Sequence, residues 1–275
     1  MTDLREQDAE EVIALLKQAA DRFVLPRFDC LGDHEVREKK PGDLVTDADV
    51  ESEHFLTAEL ERLLPGSLVV GEEAHANNPE ILARFDGDEP VWLIDPVDGT
   101  RNFTQGKSEF CMMVALVRRN RAVRAWIHEP LADRTVTAAQ GAGAWCHGTR
   151  LSIPEPPAEA DQTGQINIWY FEDPRKTQLR NASRKRFREV SSLSCAGADF
   201  LAQARGERHF SFYRRLWPWD HAPGVLIVRE AGGKADRIDG TPYRAGDRVH
   251  GLLSAPGAER WGDLRRFLLG KPGQG

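Results

Sequence analysis

The sequence predicts a chain of mixed α+β and α/β class in two domains. Residues 1–152 form an α+β amino-terminal domain with an antiparallel sheet, and residues 153–275 an α/β carboxy-terminal domain. Three observations predict this. Amphipathic helical patterns come first. Short apolar strands then follow in series, with hairpin signals rather than helices between them. Beyond a connector rich in Pro, Glu and Ala, strand and helix patterns alternate.

The first helix is expected over about Arg5 to Phe23, where Val12, Ile13, Leu15, Leu16, Ala19 and Phe23 recur at helical spacing. A second follows Thr46, with Val50, His54, Leu56, Leu60 and Leu63 or Leu64 on its apolar face and Pro65-Gly66 as its stop. Thr46 and Asp49 have the spacing of a capping box, so the acids of Asp43-Leu44-Val45-Thr46-Asp47-Ala48-Asp49 have a local explanation. Val69-Val70 reads as a short strand running into Gly71-Glu72-Glu73, which by itself is also a solvated loop start. Val91 to Ile94 reads as a buried strand. Phe110–Val117, Val123–His128, Arg134–Ala139 and Ala144-Trp145 continue the series, with Arg119-Asn120 as a hairpin turn. Ile153 to Gly164 is the connector. Near the end, Val225 to Val228 belongs to a buried helix, with Asp220 as a candidate N-cap and Gly232-Gly233 closing it.

Composition narrows the function classes. The 275 residues suffice for one large or two modest domains, and a net charge of −6 gives no general attraction to nucleic acid or membrane. Arg184-Lys185-Arg186-Phe187-Arg188 is locally basic; it reads as a solvated helix or strand edge, with an anion site as the alternative. No apolar run is long enough to span a bilayer, and Met1 to Glu10 is too acidic and polar for a signal peptide. Cys30, Cys111, Cys146 and Cys195 lack metal-binding spacing. Cys111 and Cys146 lie in apolar surroundings and read as reduced core residues, which fits a cytoplasmic protein. His221 abuts Asp220 but is read as a neighbour, since Mg²⁺ prefers oxygen. Trp217 and Trp219 are expected in the core beneath Asp220.

The chemistry concentrates in Trp92-Leu93-Ile94-Asp95-Pro96-Val97-Asp98-Gly99-Thr100. Pro96 fixes φ and bends the chain as it leaves the sheet, which can turn Asp95 and Asp98 toward one point. Gly99 permits close backbone approach, so its N–H and that of Thr100 can face an anion. Carboxylates beside exposed N–H groups suit a hard cation bridging to a phosphate. The local alternative is a simple turn, because Asp, Pro and Gly are common turn residues.

Taken in order, these segments resemble the inositol monophosphatase family of the lithium-sensitive, magnesium-dependent phosphatase superfamily, over about Val45 to Gly233. The family's middle signature, W-x-I-D-P-(I/V/L)-D-G-T-x-N-F, stands complete from Trp92 to Phe103. Its late signature, W-D-x-A-x-G followed by an apolar helix and E-A-G-G, runs from Trp219 to Gly233. Gly71-Glu72-Glu73 and Gly143-Ala144-Trp145-Cys146-His147-Gly148 also fit.

The resemblance implies a layered αβαβα sandwich with metals between the two domains. It implies up to three Mg²⁺ per site, with Mn²⁺ as a substitute. One ion is held by Glu72, Asp95 and the Val97 carbonyl, a second by Asp95, Asp98 and Asp220, and a third by Glu72 and water. Asp49 and Thr100 are implied to orient and deprotonate the attacking water. Glu72 also counts as catalytic. Asp98, Gly99, Thr100, Ala196, Tyr213 and Asp220 are implied to meet the substrate. Charge counting agrees with several ions: the four carboxylates Glu72, Asp95, Asp98 and Asp220 cannot all ionise in one pocket without cations.

The implied activity is a Mg²⁺-dependent phosphomonoesterase acting on a small phosphorylated alcohol or sugar, inositol monophosphate first, in a homodimer without nucleic-acid or membrane partners. Inositol phosphatases place a glutamate seven residues before the late aspartate, where this chain has Tyr213 flanked by Arg214 and Arg215. A tyrosine is not a carboxylate acceptor. Histidinol phosphate, fructose 1,6-bisphosphate and 3′-phosphoadenosine 5′-phosphate, substrates of relatives, therefore stay as alternatives. From a different class, a non-catalytic phosphate-binding regulatory protein is the alternative. Leu44 to Val50 superficially resembles a haloacid-dehalogenase nucleophile loop, but its apolar run is too short and Asp95 to Thr100 would be idle.

Overall fold

The structure is a computed structural model and describes residues 4–28, 30, 36–40, 43–247 and 249–270. Helix α1 (Glu6–Ala19) buries Val12, Leu15, Leu16 and Ala19 and runs into a π-helical turn, Ala20–Val24. Strands β1 (Val36–Lys40) and β2 (Asp43–Thr46) pair antiparallel and lead directly into α2 (Asp47–Leu63). Then come β3 (Leu68–Gly71), α3 (Glu72–Asn77), β4 (Val91–Asp98) and the short α4 (Thr100–Thr104). Four of the next five strands match the predicted series: β5 (Cys111–Arg118), β6 (Arg121–Glu129), β7 (Arg134–Ala139) and β8 (Gly143–Cys146), followed by β9 (Thr149–Leu151). Arg119 and Asn120 form the hairpin turn, with φ of 48° and 62°, the left-handed pair that a two-residue connection requires.

Beyond the connector lie β10 (Thr163–Ile166), α5 (Arg175–Arg186), β11 (Glu189–Val190), α6 (Ala196–Ala204), β12 (Phe210–Tyr213), α7 (Pro218–Glu230), β13 (Lys234–Arg237), β14 (Leu252–Ala255) and α8 (Gly257–Leu269). The first sheet has the order β3-β4-β5-β6-β7-β8-β9 and is antiparallel except for the parallel pair β3/β4. The second, β11-β10-β12-β14-β13, is mixed: β11, β10 and β12 run parallel, and β14 is antiparallel to both its neighbours.

The layers alternate as helix, sheet, helix, sheet, helix. On one face of the large sheet, Val12, Leu16, Leu56 and Leu60 of α1 and α2 pack on Trp92, Ile94, Val114 and Trp126. On its other face, Met113 and Ile127 meet Leu201, Leu226 and Ile227 of α6 and α7. The small sheet covers those helices from the far side, and α5 and α8 close the stack through Leu179, Leu264 and Leu268 against Phe210, Phe212 and Leu253. β4 is buried along its whole length because both its faces are covered, which is why it reads as an unbroken apolar run.

Several local expectations change. Asp220 is not the N-cap of α7 but its third residue; Trp217 is the cap and Pro218 opens the helix, where a missing N–H costs nothing. Trp219 is buried as expected, whereas Trp217 is 40% exposed. On α2, His54 is exposed; the buried face carries Ala48, Asp49, Ser52, Glu53, Leu56 and Leu60, so it becomes polar toward its first turns. Cys111 is buried, but Cys146 is only half-buried. Arg184, Lys185 and Arg188 are solvent-exposed at the end of α5 and just beyond it. Among the described residues, no helix is long and apolar enough to cross a membrane.

Candidate active site

The site begins with a defect in β4. Residues three apart on a regular strand point to opposite faces. Here Asp95 pairs with Met113 and Asp98 with Cys111, so three steps along β4 match two along β5. The extra residue is a bulge at Pro96-Val97, and it puts Asp95 and Asp98 on the same side. Because β3 runs parallel to β4 with Gly71 level with Ile94, Glu72, the first residue of α3, emerges beside Asp95.

Asp95 is 2% exposed, and its Oδ1 is buried without a hydrogen-bond partner among the described residues. Burial raises its pKa well above the ordinary range, and the charges of Glu72, Asp98, Asp220 and Asp49 raise it further. Five acids from α2, α3, β4 and α7 therefore act on one point. The donors are all oxygen, the ligand type of a hard divalent cation.

Asp98 sits in a closed cradle. Its Oδ2 accepts from the Gly197 N–H at 2.6 Å and from the Cys195 thiol at 3.1 Å, with the Cys111 thiol at 3.7 Å. Burial pushes the Asp98 carboxyl up, and these donors oppose the shift. Burial likewise pushes Cys111 up to about 12, so it is a thiol and a donor rather than a thiolate. A Cβ on Gly197 would stand 2.3 Å from the Cys111 sulfur, so only glycine allows α6 to begin this close to Asp98.

Asp49 has two separate duties. Its Oδ2 accepts from the Thr46 N–H at 2.7 Å and the Thr46 hydroxyl at 2.5 Å, which completes the capping box. Its Oδ1 lies 3.4 Å from the Thr100 hydroxyl, which also donates to the Val97 carbonyl at 3.0 Å. The local and the chemical readings of this acid thus hold together, on different oxygens. Burial raises Asp49 to about 8, the Thr46 bonds oppose the shift, and Glu72 and Glu73 add to it. Gly99, at φ +88°, turns the chain from β4 into α4.

Ala196, Tyr213, Arg214, Arg215 and Asp220 line a cavity of about 370 Å³. The Tyr213 ring packs edge-on against His221, with centroids 4.8 Å apart. His221 itself is buried in α7, its pKa pushed down to about 4, so it is neutral. The structure thus brings Asp49, Val97, Gly99 and Thr100 together, gathers Glu72, Asp95, Asp98 and Asp220 by charge, and places Ala196, Tyr213 and Asp220 on one wall.

Two supports escaped the sequence reading. The thiols on Asp98 come from residues 84 apart in the chain and leave no local signal. Glu53 accepts from the N–H groups of Glu73 at 2.8 Å and Ala74 at 2.7 Å, tying α2 to the helix that presents Glu72. Its four-residue spacing from Asp49, which sets both on one helix face, is the signal that points to it.

A model of the inositol monophosphatase family matches residues 6–262. A fructose-1,6-bisphosphatase/inositol-1-monophosphatase of Thermotoga maritima is 30% identical over 210 residues, covering 76% of this chain and 77% of that protein. An inositol-1-monophosphatase of Rhizobium meliloti is 32% identical over 223 residues, covering 79% and 81%. The solved structure of an IMPase/NADP phosphatase complexed with Mg²⁺ and phosphate is similar with a TM-score of 0.77 at 18% identity, covering 98% of this chain and 97% of its own.

Proposed function

Because this chain belongs to the inositol monophosphatase family and is a phosphomonoester hydrolase, we propose that it hydrolyses a small phosphorylated alcohol or sugar, inositol monophosphate first among them, in a Mg²⁺-dependent reaction. The observation that carries this reading is the buried, unpartnered Asp95 oxygen facing four further acids. Such a cluster is stable at neutral pH only when protonated or when divalent cations lie within it.

The residues fit that group. Glu72, Asp95 and the Val97 carbonyl would hold one ion, and Asp95, Asp98 and Asp220 a second; Glu72 can share a third, and Mn²⁺ can replace Mg²⁺. Bound there, divalent ions neutralise the phosphate and supply Lewis acidity. The chain's own groups do the rest. The Gly99 and Thr100 N–H groups open α4, where helical geometry leaves them without intrahelical acceptors, so they hold phosphate oxygens. Thr100 has a single hydroxyl proton. It lies within reach of both the Val97 carbonyl and Asp49 Oδ1; donated to Asp49, it leaves the threonine oxygen free to accept a hydrogen bond from the attacking water. Asp49, anchored through Oδ2 by two donors, is the base in its ionised form, which cations neutralising the neighbouring acids would favour; it takes the water's proton by way of Thr100. The new P–O bond forms as the ester bond breaks; the leaving alkoxide takes a proton from solvent water in the cavity lined by Ala196, Tyr213 and Asp220 and departs as the alcohol on that side.

We place the domain boundary at residues 152/153, so that the first domain contributes Asp49, Glu72, Asp95, Val97, Asp98, Gly99 and Thr100 and the second Ala196, Tyr213 and Asp220. A cytoplasmic homodimer accompanies this reading; light scattering on the purified protein tests the assembly. The enzymatic test is phosphate release from a panel of phosphomonoesters with Mg²⁺ and with EDTA. Metal-dependent release supports the reading. A folded protein that binds phosphate but turns over no ester, in any divalent ion, supports the regulatory alternative instead.

A further inference from the structure

Asp98 meets sulfur as well as nitrogen. The Cys195 and Cys111 sulfurs lie 3.1 and 3.7 Å from its Oδ2 and 3.7 Å from each other, and all three side chains are buried. A tetrahedral zinc site with Zn–S bonds of about 2.3 Å and Zn–O bonds of about 2.0 Å has S···S edges of about 3.8 Å and S···O edges of about 3.5 Å. The triangle found here departs from those edges by about 0.4 Å at most, within reach of small side-chain rotations. The Asp98 carbonyl, 3.5 Å from the Cys195 sulfur, offers a fourth donor. Cys111 also lines a cavity of about 330 Å³, none of whose described lining residues belongs to the active-site cavity. Glu109, Glu129 and Glu207 stand in its wall against Arg205, and three acids against one base concentrate cations beside the thiol.

Mg²⁺ prefers oxygen, whereas Zn²⁺ and Cd²⁺ accept thiolate readily. Burial keeps both cysteines as thiols while no metal is bound. It does not oppose a cation. As one divalent ion forms two metal–sulfur bonds, two S–H bonds break and two protons leave for solvent, so the net charge of the buried site is unchanged. We propose that Cys111, Cys195 and Asp98 Oδ2 form a binding site for one thiophilic divalent cation, Zn²⁺, entered from the acidic cavity and distinct from the oxygen cluster around Asp95. A Zn²⁺ there draws on the carboxylate assigned above to the Asp95, Asp98 and Asp220 position, so the two metals oppose each other through Asp98. This coupling rests on the phosphomonoesterase reading above; the binding does not.

The test uses Cd²⁺ as an optical probe in a Cys30→Ser, Cys146→Ser protein, where Cys111 and Cys195 are the remaining thiols. With excess Mg²⁺ present, titration with Cd²⁺ should show one equivalent bound and the ultraviolet charge-transfer absorption of two cadmium–thiolate bonds. Zn²⁺ should displace the Cd²⁺ and abolish that absorption. Cys195→Ser in the same background keeps a hydroxyl donor to Asp98; it should lose about half the absorption and weaken Cd²⁺ binding by about tenfold or more. If the serine variant fails to fold, alkylation mapped by mass spectrometry takes its place: Zn²⁺ should protect Cys111 and Cys195, and Mg²⁺ should not. Zn²⁺ should also raise the Mg²⁺ concentration needed for half-maximal phosphate release, a shift that Cys195→Ser should lose relative to its own zinc-free value. Cd²⁺ bound without thiolate absorption, or absorption unchanged by Cys195→Ser, overturns the inference and leaves the phosphatase reading standing. Zinc inhibition undiminished in Cys195→Ser overturns the coupling through Asp98. Thiolate absorption in a protein that hydrolyses no ester overturns the phosphatase reading and leaves the site standing.

Discussion

Glu53 offers a perturbation whose size can be worked from the structure. It is 3% exposed on α2, and its two oxygens receive the N–H groups of Glu73 and Ala74 at 2.8 and 2.7 Å. Burial raises its pKa from 4.5 to about 7, the two N–H bonds oppose the shift, and the charges of Glu73 and Glu72 add to it. The folded chain therefore holds a proton between pH 4.5 and 7 that the unfolded chain has released. Stability falls as pH rises through that window, and the loss is complete above the folded value. A rise from 4.5 to about 7 corresponds to ~3 kcal/mol. Glu53→Gln cannot ionise; its amide oxygen keeps one of the two N–H bonds and its NH₂ faces the other donor, a cost that does not vary with pH. In EDTA, the stability of the variant relative to the wild type should rise by ~3 kcal/mol between pH 4 and pH 8, a relative gain of roughly 5–10 °C in Tm. Thermal unfolding of both proteins across this pH range is the assay. The same variant should need more Mg²⁺ for half-maximal activity, because a neutral amide holds the first turn of α3 less firmly than a carboxylate. A Tm difference that is constant with pH, or that turns against the variant as pH rises, would refute the reasoning.

Asp95→Asn should nearly abolish turnover while raising the stability of the metal-free protein, since it removes one charge from the crowded cluster; normal kcat in saturating Mg²⁺ contradicts the assignment. Thr100→Ala should lower kcat by ~10²–10⁴-fold with little change in metal requirement; full rescue by added Mg²⁺ contradicts its role toward water. Li⁺ should inhibit at millimolar concentration when Mg²⁺ is limiting, because a monovalent ion at the Asp95, Asp98 and Asp220 position stabilises the departing oxygen poorly; a flat lithium titration counts against this. Tyr213→Glu should raise kcat/KM for inositol 1-phosphate relative to the other esters by restoring a carboxylate acceptor; an unchanged ratio removes Tyr213 as a selecting position.

The sequence by itself determined the elements whose cause is local. The helical stripe from Val12 to Ala19, the capping box of Thr46 and Asp49, the hairpin at Arg119-Asn120 and the bend at Pro96 each depend on neighbours a few residues away, and each is present in the fold. The acids of the site were legible because they stand at strand ends and helix starts, positions marked by Gly, Pro and Thr. Only the tertiary structure decided the rest. It set Asp220 inside α7 rather than at its cap, because Pro218 opens that helix two residues earlier. It left Trp217 at a cavity wall while burying Trp219, although the two stand two positions apart on either side of Pro218. It brought the Cys195 thiol and the Gly197 N–H onto Asp98 across 97 and 99 residues, and drew Glu53 under α3 across 20. No local pattern encodes such contacts. They arise when two faces of one sheet are buried at once, and the layers that cover them fix which distant side chains meet.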